Sequence, residues 1–303
     1  MRELDGRRPS GRGDGANARL HECAALLLRN HNPTRGLRYD AATTSRVRGT
    51  EMLKRTVKAL IEKTGYTVQK SGPAAEAPII PHGVIEERFA RMYEKCRPYT
   101  MTTAQEMYNL YNATQYVVAN GVPGDFVECG VWRGGSAMIT ALTLLELHDS
   151  DRKLYLYDTY EGMPTATSED ITHHDQGAGQ VRERLLDEHG KWNFASIEEV
   201  RSNLLSTGFP EDRLVLVKGK VEDTIPGTLA EAIAILRLDT DFYDSTYHEF
   251  KHLFPRLSSR GVLIVDDYDY WKGARRATDQ YFSENGVQLL LQRMDVGRIG
   301  VKL

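Results

Sequence analysis

Two short segments carry apolar residues straight into paired acids: Leu238-Asp239-Thr240-Asp241 and Val265-Asp266-Asp267. Carboxylates held close repel, and they do not all stay ionised without a cation. Several hard oxygen donors suit magnesium or calcium rather than zinc. Solvated loop acids are the alternative reading, but Val262-Leu-Ile-Val265 running directly into Asp-Asp disfavours it. A second feature is Glu128-Cys-Gly130-Val-Trp-Arg-Gly134-Gly135-Ser136. Its glycines let backbone approach a ligand closely, and a helix opening there favours an anionic group. The spacing from Gly130 is G-x-x-x-G-G, a poor fit to the G-x-G-x-x-G of nicotinamide sites. Third is Asp158, at the end of Leu154-Tyr-Leu-Tyr, where an acid can take both hydroxyls of a ribose. The histidines argue less. His173-His174 lie in a polar loop, 162–180, and His248 and His252, four apart, share a helix face, but the strand-end carboxylates are the better metal candidate. There is no Gly-x-Ser-x-Gly elbow and no P-loop Lys-Ser/Thr.

These groups converge only if the elements place them together. From residue 124 the pattern alternates strand and helix. Strands are expected at 125–129, 153–157, 214–217, 233–238 and 262–265, with a terminal pair at 287–293 and 297–302. Helices are expected at 136–147, 178–188, 196–206, 228–232, 245–257 and 272–283. Such alternation predicts a mostly parallel sheet covered by helices on both faces. Ligands then bind at the carboxyl ends of the strands, where the informative residues fall. Upstream, residues 84–96 and 103–119 read as helices, the second capped by Thr102 or Thr103 with Glu106 three residues beyond Thr103.

Composition narrows the classes. Hydrophobic residues make up 41% of 303, enough for a substantial core. The net charge of −3 divides unevenly: residues 1–50 hold ten Arg and five acids, a net of +5, and the remainder carries −8. An acidic folded part opposes phosphate binding, so no nucleic-acid partner is expected. No apolar run approaches the ~20 residues that span a bilayer, so no membrane partner is expected either. Cys23, Cys96 and Cys129 are few and scattered, which fits the reducing cytoplasm. Residues 1–50 read as a disordered extension, with a start at Met52 as the alternative, 51–120 as a helical region, and 121–303 as the α/β domain.

Six segments in order resemble the macrocin O-methyltransferase family of bacterial natural-product tailoring enzymes, and more distantly the magnesium-dependent catechol O-methyltransferases. They are Pro98–Thr102, Phe126–Ser136, Tyr157–Pro164, Val217–Thr224, Leu236–Tyr243 and Val265–Tyr268. The resemblance covers roughly residues 95–290 and implies a Rossmann-like class I methyltransferase fold with a seven-stranded sheet and an N-terminal helical extension. It implies S-adenosylmethionine as methyl donor. Glu128, Gly130 and Ser136 would hold its methionine end with Thr100, Met101 and Thr102 closing over it. Asp158 would take the ribose, and Lys218, Gly219 and Glu222 would shape the adenine pocket. Asp239, Asp266 and Asp267 would bind Mg2+, with Asp239 also the general base. The catechol enzymes place a lysine base three residues after the first metal aspartate; here that position is Phe242, so a carboxylate base is implied. The expected acceptor is a sugar or glycoside hydroxyl, with a catechol or other phenol as the alternative. A nicotinamide dehydrogenase and a non-catalytic cofactor-binding protein are the alternatives from other classes. Relatives suggest a homo-oligomer.

Overall fold

The structure is a computed structural model and describes residues 86–164, 166–167, 170–189 and 194–303. The chain divides into two compact units, Met1–Pro78 and Ile79–Leu303, and every described residue lies in the second. The expectations for residues 1–50, for the start at Met52 and for the part of the helical region before residue 86 fall outside the described residues.

Two helices, α1 (Glu87–Cys96) and α2 (Ala104–Ala119), precede the sheet and are joined by a 3-10 turn, Arg97–Tyr99, and an extended strap through Thr102. The capping box read from Thr103 and Glu106 opens α2: Glu106 N donates to Thr103 Oγ1 (3.3 Å) and Thr103 N donates to Glu106 Oε2 (3.0 Å). Then follow β1 (Asp125–Cys129), α3 (Gly135–Glu146), β2 (Leu154–Asp158), α4 (Ala178–His189), α5 (Ile197–Leu205), β3 (Leu214–Lys218) and α6 (Val221–Thr224). The chain ends with β4 (Ile233–Leu238), α7 (Tyr243–Leu253), β5 (Leu257–Val265), α8 (Lys272–Asn285), β6 (Gln292–Met294) and β7 (Gly297–Val301). The strand order is β3-β2-β1-β4-β5-β7-β6. β1 to β5 are parallel and the β5–β7–β6 edge is antiparallel.

Side chains alternate across this sheet, and both faces are covered. Phe126, Leu154, Ile235 and Ile264 pack in one core with residues of α1, α2, α3 and α5. Val127, Leu236, Leu263 and Val265 pack in the other with Phe250, Leu253 and Tyr281 of α7 and α8. All six residues of β4 are buried, including Arg237.

Two expectations differ. The helix expected at 228–232 is absent, and the turn of helix forms earlier, at Val221–Thr224. Pro226 has no N–H to extend it, and Gly227 follows. The strand expected at 287–293 shrinks to Gln292–Met294, because β6 pairs with β7 only there, while Leu290 is 87% exposed. Among the described residues no helix is long and apolar enough to cross a membrane.

Candidate active site

A cleft of about 690 Å³ opens at the carboxyl ends of the parallel strands. Its floor is the turn after β1. Gly130 has φ +83°, and a Cβ there would lie 1.9 Å from the Asp239 carbonyl oxygen, so only glycine lets the ends of β1 and β4 meet. Gly135, opening α3, meets the strap as closely: a Cβ would lie 2.6 Å from both Thr100 Cβ and Tyr99 O. Thr100, Met101 and Thr102 thus line the cleft from above, with Thr102 N donating to Thr100 Oγ1 (3.0 Å). Arg133 fastens this strap at its other end, donating to Pro98 O (2.8 Å) and pairing with Glu199 (2.6 Å).

Asp158 lines the cleft at the end of β2. Its Oδ2 accepts from Val131 N (2.7 Å) and Trp132 N (3.0 Å), and Oδ1 accepts from Tyr160 N (2.8 Å). The carboxylate therefore holds the glycine-rich turn in shape as well as facing the cleft. Gly219, Glu222 and Ser136 line it too. Two residues expected at the cofactor do not. Glu128 is buried behind the floor, taking the Ser136 hydroxyl and Arg237. Lys218 lies outside the lining and pairs with Glu161 (2.7 Å).

The acid cluster forms as expected in place but not in membership. Oxygens of Asp239, Asp241 and Asp267 all lie within 4.8 Å of one another. Asp266 also lines the cleft, but its Oδ1 is 2.8 Å from Arg237 Nη2. Asp241 sits at φ +67°, a left-handed conformation uncommon outside glycine and found at functional turns. Burial pushes Asp239, Asp241 and Asp267 above the usual carboxylate range, Asp241 to about 7. Arg237 opposes the rise at Asp239 and Asp241, while a neighbouring acid adds to it at Asp267. The donor set, hard oxygens converging with few cations, fits a divalent ion.

Arg237 had no role assigned from the sequence. It is 3% exposed. β1 and β4 run in register with Glu128 beside Arg237, so both side chains enter the same face. Arg237 Nη1 lies 2.6 Å from Glu128 Oε1 and 2.8 Å from Asp239 Oδ2, and Nη2 donates to Thr102 Oγ1 at 3.1 Å. One guanidinium thus ties the strap, the β1 acid and two strand-end acids together. The sequence did hold a signal: a lone Arg in Ile-Ala-Ile-Leu-Arg-Leu must be paired if that strand is central.

The far wall is apolar, formed by Met163, Pro164, Val181, Phe242, Tyr270 and Trp271. Trp271 is 4% exposed and packs edge-on against Phe242, with centroids 5.7 Å apart. The polar loop 162–180 is pinned here: Thr172 bridges Trp271, and His173 N donates to Tyr270 O (2.9 Å). His173 and His174 are exposed, in tilted ring contact with each other, and outside the lining. His248 and His252 are also in tilted ring contact, and His248 Nε2 lies 2.9 Å from Ile225 O.

Residues 83–301 match the family model described as Macrocin-O-methyltransferase (TylF). An 8-demethyl-8-(2,3-dimethoxy-alpha-L-rhamnosyl)-tetracenomycin-C 4'-O-methyltransferase of Streptomyces olivaceus is 34% identical over 65% of this chain and 72% of its own length. A mycinamicin III 3''-O-methyltransferase of Micromonospora griseorubida is 31% identical over 78% of this chain and 89% of its own. Among solved structures, the O-methyltransferase NovP superposes with a TM-score of 0.58 at 30% identity, covering 67% of this chain and 82% of that one.

Proposed function

The chain belongs to the macrocin O-methyltransferase family and is an S-adenosylmethionine-dependent O-methyltransferase. From that premise we propose that it methylates a sugar hydroxyl on a glycosylated natural product with the help of Mg2+ held by Asp239, Asp241 and Asp267. The observation that carries the metal is the convergence of those three carboxylates at the strand ends. The acceptor class rests on the rhamnosyl group in the name of the Streptomyces olivaceus relative. A cleft with acids on one side and Tyr270 and Trp271 on the other suits a molecule with a polar sugar and an apolar body. The cytoplasm and a homo-oligomeric state belong to the same proposal.

Bound S-adenosylmethionine supplies an electrophilic methyl group, and bound magnesium supplies Lewis acidity that lowers the pKa of a coordinated hydroxyl. The residues do the rest. Asp158 and the Gly130 turn orient the ribose, and Thr100–Thr102 cover the donor. Positioning of this kind contributes up to about 7–11 kcal/mol when both reactants are held in line. Asp239 accepts the proton of the acceptor hydroxyl. One observation favours a second reading, in which Asp241 does so: Asp239 Oδ2 is occupied by Arg237 at 2.8 Å.

The test is incubation of the protein with methyl-labelled S-adenosylmethionine, magnesium and a panel of glycosides and catechols, read by mass spectrometry. Label on a sugar hydroxyl, lost with EDTA and restored by magnesium, is the expected result. Label on catechols alone refutes the acceptor class, and undiminished turnover after thorough chelation refutes the metal.

A further inference from the structure

The cleft wall beneath the strap carries one acid that the chemistry above leaves unused. Glu106, in the first turn of α2, is 4% exposed and lines the cleft. Its Oε2 is committed to the capping box, accepting from Thr103 N (3.0 Å) and Thr103 Oγ1 (2.9 Å). Its Oε1 is buried with no hydrogen-bond partner. Arg237 is engaged with Glu128, Asp239 and Asp266, so its charge is already shared among three carboxylates. A buried carboxylate oxygen left unpaired is costly, and the cap uses only the other oxygen, so Oε1 is placed for a donor that arrives with a ligand.

The sheet order says which part of the ligand arrives there. Asp158 ends β2, and Gly219 and Glu222 follow β3, on one side of Gly130. Asp239 and Asp266 follow β4 and β5 on the other side, where Arg237 joins both to Thr102 of the strap, and Glu106 lines the same cleft. A nucleoside with its ribose at Asp158 must lay its amino-acid tail across Gly130 towards β4. That tail carries an ammonium group with three donors. We propose that Glu106 Oε1 is the acceptor for the α-ammonium of S-adenosylmethionine, a binding role that rests on the cofactor reading above.

Glu106→Gln isolates the charge, because a glutamine oxygen still serves the capping box. Calorimetric titration compares two probes: S-adenosylhomocysteine, which keeps the amino-acid tail, and 5'-methylthioadenosine, which lacks it. The variant is expected to bind S-adenosylhomocysteine on the order of tenfold more weakly, with 5'-methylthioadenosine changed less than about twofold. Parallel loss for both probes means that Glu106 only supports the strap, and that result overturns the proposal. So does unchanged binding of S-adenosylhomocysteine. If the wild-type protein binds neither nucleoside, the cofactor reading itself fails and takes the proposal with it.

Discussion

Replacing Arg237 with Met removes the one cation among Glu128, Asp239 and Asp266 while keeping an unbranched apolar stem of similar length. The side chain is 3% exposed, and its two terminal nitrogens reach three carboxylates and Thr102 Oγ1 at 2.6–3.1 Å. Removing one partner of a buried ion pair costs about 3–5 kcal/mol, because the other charge is left uncompensated. For a domain of this size, 1 kcal/mol lowers Tm by about 2–4 °C, so the variant should melt roughly 6–20 °C lower. Calorimetry in a chelator keeps divalent ions from standing in for the lost charge. The pH dependence has a definite sign. Burial already raises Glu128 and Asp239 above the usual range, and loss of Arg237 raises them further. An acid whose folded-state pKa is raised has its stability intact at low pH and loses it as pH rises through the folded value. The deficit should therefore grow as pH rises and narrow as pH falls towards the ordinary carboxylate values of about 4. Arg237→Lys keeps the charge without the fork and should fall between the two. A Met variant melting within about 2 °C of wild type at high pH, or a deficit flat across the range, refutes the hub.

Asp239→Asn is expected to lower kcat by roughly 10²–10⁴ at saturating magnesium with circular dichroism unchanged. If Asp241→Asn shows the larger kcat loss and Asp239→Asn mainly raises the magnesium needed for half activity, proton acceptance belongs to Asp241. Gly135→Ala puts a Cβ 2.6 Å from Thr100 Cβ and Tyr99 O, both on the strap, so the strap must shift. Overpacking of this kind costs about 1–3 kcal/mol; Tm and S-adenosylhomocysteine affinity should both fall, and an unchanged affinity would show that the strap does not cover the donor.

The parts that were legible in the sequence share one property: each is a local pattern with a local cause. Thr103 and Glu106 make a capping box within four residues, and the β1 turn needs glycine wherever the sheet lies. Asp158 and Asp239 end apolar runs, which places them at strand ends before any pairing is known. What was not legible depends on register and on backbone conformation. Arg237 reads as one polar residue in an apolar strand until β1 pairs with β4 and sets Glu128 beside it. Glu128, expected at the ligand, is for the same reason turned into the layer behind it. Asp241 was legible as one of the strand-end acids; that it, and not Asp266, shares the cluster with Asp239 and Asp267 was not, and nothing in Asp-Thr-Asp announces its φ of +67°. That conformation accompanies the arrangement that leaves Asp266 to Arg237 and groups Asp241 with Asp239 and Asp267.

That division of the acids has a chemical consequence. Glu128, Asp239 and Asp266 share a single guanidinium, and Asp241 and Asp267 lie beside Asp239, so the cluster carries excess negative charge whenever most of them are ionised. Burial resists this, which is why Asp239, Asp241 and Asp267 are pushed towards the protonated form. Positive charge entering the cleft reverses the balance. A sulfonium donor in the proposed placement would bring one such charge next to the acids; methyl transfer turns the sulfur into a neutral thioether and the acceptor into an ether, and the acceptor's proton passes to the carboxylate base before it leaves to solvent. Once that proton has left, the acids would hold the neutral thioether less tightly than the sulfonium, and Arg237 fastens the strap to the same carboxylates.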